Sequence, residues 1–268
     1  MRMRVISWNL NAIGAGARVA HQVELLAELS RDINTLIALQ EVSPKHHEAL
    51  SRFFPAASYA CSFDLRPPRR YDGRNRAMGC AVAATGDLHL GSRQLVPETP
   101  LPERALVANV HLGNTQLLAG SFHAITGVGY KKAKPIMFQA IARFLEDCGL
   151  PIVFGIDRNA PKHDRWPLSA SEWWWPGRNE EPLLFGEHAP HNCRDVFLDY
   201  LGSHPDELER AKAEYPNGPL AVTHLRGPTK IPCRYDAVYV SPEWAVGTVA
   251  HHFDESIWEL SDHALVTA

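Results

Sequence analysis

Apolar residues along this chain gather in short runs separated by polar stretches. Eight such runs predict buried strands: RVISWNL (4–10), TLIALQEV (35–42), GCAVAAT (79–85), RALVANVHL (104–112), TQLLAGSFHA (115–124), PIVFGID (151–157), YDAVYVS (235–241) and HALVT (263–267). Three other stretches carry apolar residues at helical spacing with a charged outer face: HQVELLAELSRD (21–32), KPIMFQAIARFLEDC (134–148) and DELERAKAEY (206–215). Strand and helix do not alternate regularly. The runs at 79–85, 104–112 and 115–124 follow one another as an antiparallel meander would. Two sheets packed face to face, with helices outside, accommodate this mixture. No linker-like break divides the chain, which predicts one domain over 1–268.

Two segments fall outside the pattern. The stretch DLRPPRRYDGRNRAMG (64–79) is basic and rich in proline and glycine, and APKHDRWPLSASEWWWPGRNEEP (160–182) is long and holds three adjacent tryptophans. Long loops inside a compact domain are commonly functional.

The borders of the apolar runs hold the chemistry. The first ends in Asn9, with Asn11 just beyond, and the second in Glu41. The fifth ends in His123, and the sixth in Asp157, with Asn159 two residues on. Asp236 opens the seventh, and Asp262 and His263 open the last. Any one of these alone is an ordinary turn or cap residue. Six such borders, all carboxylate, amide or imidazole, describe an oxygen-rich cluster with two histidines if they meet at one edge of the sandwich. Hard cations such as Mg²⁺ (or Mn²⁺) take oxygen ligands, so Glu41, with Asn9 or Asp262, is the expected metal site. A cation there would neutralise a phosphate oxygen and a developing negative charge. His263 paired to Asp236 is the expected base for a water. The amides of Asn9 and Asn159 are expected to donate to non-bridging oxygens, and Asp157 to orient the water or assist protonation.

In this order, SWNLN, LQEV, GSFHA, GIDRNA, RYDAVYVS and SDHALV resemble the endonuclease/exonuclease/phosphatase superfamily, from Ser7 to Val266. The resemblance implies a DNase I-like, four-layer α/β/β/α sandwich with two packed, mixed, mostly antiparallel sheets between helices. It also implies divalent-metal phosphoester hydrolysis. Position by position, Asn9 matches the family's Trp-Asn motif, Glu41 its metal-binding Glu, and His123 its general-acid or phosphate-contacting His. Asp157 and Asn159 match the Asp-x-Asn pair, Asp236 the acid orienting the catalytic His, and Asp262 and His263 the closing Asp-His. Asn11 stands where nuclease branches often carry an acid that aids the metal. Arg158 replaces a commonly apolar residue and is a candidate phosphate contact. No counterpart is evident for the carboxylate that supports the first histidine in DNase-like enzymes.

The remaining features bear on the substrate. The chain has 268 residues, 45 % of them hydrophobic and 21 % charged, with a net charge of −3. No global basic field advertises nucleic acid. Locally, Arg66, Arg69, Arg70, Arg74 and Arg76, with Asn75, make a basic loop suited to backbone phosphates, and Lys131, Lys132 and Lys134 make a second cluster. Among the adjacent tryptophans, Trp174 is a candidate for stacking on a base, the alternative being that the three cover the sandwich. Three functions remain open: a metal-dependent nuclease, which the basic loop and His123 favour; a phosphatase or phosphodiesterase for a small or lipid phosphate; and a binding descendant without catalysis. Five well-separated cysteines without a CxxC pair fit reduced thiols. The N-terminus lacks the apolar core of a signal peptide, and no stretch has the length of a membrane span. A cytoplasmic protein without membrane insertion is expected, and no obligate protein partner is evident.

Overall fold

The computed structural model describes residues 2–13, 16–68, 77–126, 133–174, 180–186 and 189–268. The strands are β1 Arg4–Asn9, β2 Thr35–Val42, β3 Tyr59–Cys61, β4 Gly79–Thr85, β5 His89–Leu95, β6 Ala105–Leu112, β7 Thr115–His123, β8 Ile152–Asp157, β9 Arg194–Asp195, β10 His224–Arg226, β11 Ile231–Cys233, β12 Asp236–Val240, β13 Ala250–His252 and β14 Leu265–Thr267. The helices are α1 Arg18–Leu29, α2 Pro44–Phe53, α3 Ser62–Leu65, α4 Ala133–Glu146, α5 Glu180–Phe185, α6 Val196–Ser203, α7 Pro205–Glu214 and α8 Glu255–Leu260. One six-stranded sheet has the order β13-β14-β1-β2-β4-β3 and the other β5-β6-β7-β8-β12-β9, while β10 and β11 form a separate hairpin. Two parallel pairs, β1 with β2 and β7 with β8, are joined through α1 and α4, and the other pairs are antiparallel. Among the described residues, no helix is long and apolar enough to cross a membrane.

The expected meander is corrected in one respect. The run at 79–85 pairs with β2 and β3 in the first sheet, while β6 and β7 belong to the second. The strand that completes the meander is β5, whose residues are mostly exposed and so left no apolar run to detect.

Because side chains alternate across a strand, each inner strand shows one residue set to its helices and another to the facing sheet. Ile6, Trp8, Ile37 and Leu39 pack with Leu26, Leu50 and Ile257 of α1, α2 and α8. Phe122, Phe154 and Ile156 pack with Phe138, Ile141 and Leu145 of α4. Between the sheets, Val5, Leu36, Ala119 and Val153 meet. Following that inner face along each strand, polarity rises in step: Val5, Ser7, Asn9 on β1; Leu36, Ala38, Gln40 on β2; Ala119, Ser121, His123 on β7; Val153, Gly155, Asp157 on β8. One end of the seam is therefore hydrocarbon and the other is the polar edge. Halfway along, the sheets come so close that a Cβ on Gly155 would lie 2.4 Å from Ser7 Oγ and 2.7 Å from Ala38 Cβ. Gln40 Nε2 donates there to Ser121 Oγ (3.2 Å), which donates to Leu39 O (2.7 Å).

Candidate active site

The predicted borders do meet. Parallel pairing brings the last residues of β7 and β8, His123 and Asp157, into register, and antiparallel pairing sets Asp236 at the start of β12 opposite Asp157. His263 arrives from the other sheet, just ahead of β14. Ser261 Oγ donates to Asn9 O (2.6 Å) and accepts from His263 N (3.2 Å), while Trp8 Nε1 donates to His263 O (3.3 Å). The histidine is thus anchored at its backbone on both sides.

His263 Nδ1 lies 2.9 Å from Asp236 Oδ2, and Asp236 is fully buried. A carboxylate only accepts, so the ring donates from Nδ1 and turns Nε2 away from Asp236. Burial opposes charge on this ring, but Asp236, Asp157 and Asp262 outweigh it and lift its pKa to about 10.

Asp157 is the hub of the second sheet. Its Oδ2 accepts from Asn9 Nδ2 (2.9 Å) and Asn159 Nδ2 (3.1 Å), and its Oδ1 from Asn159 N (3.0 Å). Burial raises its pKa to about 7, with Asp236 and Glu41 adding to the rise and His263 opposing it. It can therefore hold a proton near neutral pH. The same bonds correct the expected roles of the amides. Asn159 Nδ2 also donates to Ala124 O (2.9 Å), so both of its hydrogens are engaged. Asn9 is fully buried, and its Oδ1 accepts from Asn11 N (3.0 Å). These residues brace Asp157 and the chain rather than reach for a phosphate. Asn11, at φ 48°, accepts from Ile13 N through Oδ1 (3.2 Å), a turn role that left-handed backbone suits and that replaces the expected metal contact.

Glu41 sits at φ 50°, where β2 breaks register with β4 between Leu39 and Val42. Left-handed backbone in a glutamate is strained, and the bulge turns its side chain out of the ladder toward the site. Its Oε2 accepts from Ala12 N (3.2 Å), its Oε1 lies 3.6 Å from His123 Nε2, and 19 % of the side chain reaches solvent. His123 is buried, 3.5 Å from Asp157 Oδ2, and Arg104 Nη1 donates to its ring at 3.2 Å from Nδ1. Burial first, then Arg104 and His263, hold His123 well below the usual imidazole range. Asp262 is half-buried, and its carbonyl accepts from His224 Nδ1 (3.0 Å).

Arg158 is not at the site. It is 1 % exposed, and its guanidinium donates to Asp195 Oδ2 (3.2 Å), Tyr239 Oη (3.0 Å) and Arg234 O (2.9 Å). Following Asp157 directly, it emerges on the opposite face of the strand end. Trp174 is half-buried, with the Arg226 guanidinium carbon 4.3 Å from the centre of its ring. Arg70, Arg74, Asn75 and Arg76, with Arg69, Lys131, Lys132 and Trp175, lie outside the described residues. Three residues at the site gave no sequence signal: Arg104, His224 and Thr223, whose hydroxyl accepts from Tyr235 N and Asp236 N (2.8 and 3.0 Å). Each stands beside an unremarkable run, and only tertiary register brings it to the cluster.

No protein-family model and no curated protein matches the sequence. Solved structures do match. A humanised D. rerio TDP2 aligns over 99 % of this chain and 97 % of its own at 14 % identity, TM-score 0.66. The Xenopus laevis APE2 catalytic domain aligns over 99 % and 91 % at 16 % identity, TM-score 0.65. The human Nocturnin catalytic domain with bound sulfate aligns over 99 % and 92 % at 14 % identity, TM-score 0.57. With two mixed, mostly antiparallel sheets between helices and these full-length likenesses, the chain has the fold of the endonuclease/exonuclease/phosphatase, or DNase I-like, superfamily.

Proposed function

We propose that this chain is a divalent-metal-dependent phosphoester hydrolase whose substrate is a phosphodiester of nucleic acid. The observation that carries the reading is the His263–Asp236 pair, 2.9 Å apart, set beside Asp157 with its pKa near 7 at the polar end of the seam. A fixed imidazole and a carboxylic acid poised near neutrality are the two proton-handling groups that ester hydrolysis needs. The preference for nucleic acid draws on the solved relatives, one of which is a D. rerio TDP2 complexed with single-strand DNA product.

The residues fit a cation. Four carboxyl groups, Glu41, Asp157, Asp236 and Asp262, gather around His263, His123 and Arg104, and among the described residues no lysine or arginine forms an ion pair with Glu41. Glu41 and Asp262 would hold Mg²⁺ or Mn²⁺, which keeps waters and takes oxygen ligands. The ion would supply neutralisation of phosphate charge. The chain's own residues do the rest. Asp236 keeps His263 oriented, His263 takes the proton of the attacking water at Nε2, and Asp157 delivers one to the leaving oxygen. Asn9 and Asn159 keep Asp157 in place.

The test is a hydrolysis panel with Mg²⁺ or Mn²⁺ over plasmid, single-stranded DNA, RNA, and small phosphomono- and diesters, with a chelator arm and a His263→Ala control. The expected result is metal-dependent cleavage of polymer that falls by about 10²-fold or more in the variant. Turnover of small esters alone would replace the nucleic-acid reading with a small-molecule phosphoesterase. His263→Ala as active as the parent would remove His263 from the reaction.

A further inference from the structure

At the hydrocarbon end of the seam, away from the catalytic cluster, the packing leaves a space. Val5 of β1 and Val240 of β12, one from each sheet, line a cavity of about 340 Å³. Residues 241–249 carry the chain from β12 in one sheet to β13 in the other, and Trp244 and Val246 of that crossing line the cavity too. Ile33 and Val196 add to its apolar wall. The polar side chains there are of one kind. Trp244 Nε1 is buried and meets no acceptor among the described residues. A buried N–H without a partner costs free energy, so the indole is ready for an acceptor that the chain does not supply. Arg2 and Arg4 line the same cavity, and no Asp or Glu does. Ala268 O, also at the wall, already accepts from Val5 N (2.9 Å).

We propose that this cavity binds a medium-chain aliphatic carboxylate, with the tail against the valines and the head toward Trp244 and the two arginines. A volume of 340 Å³ falls in the range of about 300–1,000 Å³ typical of small-molecule sites, which are mostly apolar with a few polar groups that fix orientation. At the roughly 30 Å³ that one water takes in the liquid, it holds about 11 groups of that size, and octanoate has about ten heavy atoms. A carboxylate only accepts, and its two oxygens suit an N–H and a guanidinium together. An alkylammonium would bring donors to donors beside two positive charges. An alcohol would keep an acceptor and lose the charge that strengthens the bond. Seated there, the tail touches a strand of each sheet, so the ligand ties the sheets together at the end remote from the catalytic groups. Binding to the folded chain alone stabilises it by mass action.

The experiment is calorimetric titration of the full chain with sodium octanoate below its micelle concentration, beside hexanoate, 1-octanol and octylammonium. The expected result is one octanoate bound per chain. Hexanoate should bind about tenfold more weakly, from two methylenes at about three- to fourfold each. Octanol should also lose about tenfold, and octylammonium should show no saturable binding. Trp244→Phe keeps an aromatic ring and removes the N–H, and should weaken octanoate by about tenfold. Val246→Trp should fill the space and abolish binding. The midpoint of thermal unfolding should rise with octanoate in the parent and stay constant in Val246→Trp. No octanoate bound, several bound per chain, or octylammonium bound as tightly overturns the proposal, and so does an affinity unchanged in both variants. The ligand series on the parent needs no variant, so a variant that fails to fold leaves the test intact. None of these readings passes through catalysis, so the site stands or falls apart from the hydrolase reading.

Discussion

Arg158→Met should destabilise the protein and leave substrate binding alone. The guanidinium donates to Tyr239 Oη, Arg234 O and Asp195 Oδ2, and more weakly to Tyr235 O (3.4 Å). After the substitution, Asp195 keeps two bonds from Arg234, at 3.2 and 2.9 Å, so no carboxylate is stranded. What remains is the buried Arg234 carbonyl and the Tyr239 hydroxyl oxygen short of a donor, at about 1–3 kcal/mol each, offset in part by the apolar methionine stem, while Tyr235 O keeps its bond from the backbone N of residue 158 (2.9 Å). A net loss of about 3 kcal/mol is expected. Asp195→Ala should cost more, because it strands Arg158, leaves Arg234 with Asp164 alone, and removes the cap that accepts from Phe197 N and Leu198 N at the start of α6. Breaking the buried pairing contributes about 3–5 kcal/mol and the cap about 1. Urea unfolding followed by circular dichroism gives both values, and kcat and KM on a phosphodiester give the functional arm. Arg158→Met that unfolds with the parent but shows a raised KM would refute this reasoning and return Arg158 to the substrate.

Asp236→Asn removes a negative neighbour that lifts the pKa of His263 to about 10, so the ring's titration followed by NMR should move to lower pH, with kcat reduced; a titration at the parent's pH would detach Asp236 from His263. His46 is buried, its Nε2 2.9 Å from Gln22 Oε1, and burial, with Arg18 adding to it, lowers its pKa to about 4. The unfolded chain then binds a proton that the native one refuses, so stability is whole above about pH 6.5 and falls as the pH drops toward 4, by up to about 3 kcal/mol from this group. The His46→Gln protein should show a shallower decline of urea midpoint between pH 7 and 4.5, and an identical slope would exclude His46. Gly155→Ala should destabilise by about 1–3 kcal/mol, since the new methyl meets Ser7 and Ala38 across the seam. A parental urea midpoint would show that the sheets can part to admit it.

The polar borders were legible because the strands that carry them obey a period of two. In VISWN and VFGID the same parity runs from core to site, so the last residue of each run had to face the seam. The layered fold followed from the same runs. What the sequence hid depends on partners far along the chain. Arg158 looked like a phosphate contact because its counter-charge, Asp195, lies 37 residues on. Arg104 precedes β6 as an ordinary charge and meets His123 only through the β6–β7 register. His224 is 39 residues from His263, on whose ring it stacks, and lies on a strand of three half-buried residues that no periodicity marks. Asn159 was given the wrong task, since an amide in a sequence does not reveal that both its hydrogens are already taken, and Asn9 gives one of its two to Asp157.

Neither sheet owns a complete working pair: Asn9 and His263 come from one, Asp157 and Asp236 from the other. The site therefore works as a gauge of alignment between two plates. A slip of about an ångström would separate both pairs while every strand stayed bonded to its neighbours, and misplacement on that scale can lower a rate by about a hundredfold. Warming or mild denaturant should then stop turnover before secondary structure is lost. Better packing at the hydrocarbon end of the seam, around Val5, Leu36 and Val153, would widen the range over which the enzyme works without altering any group that takes part in the chemistry.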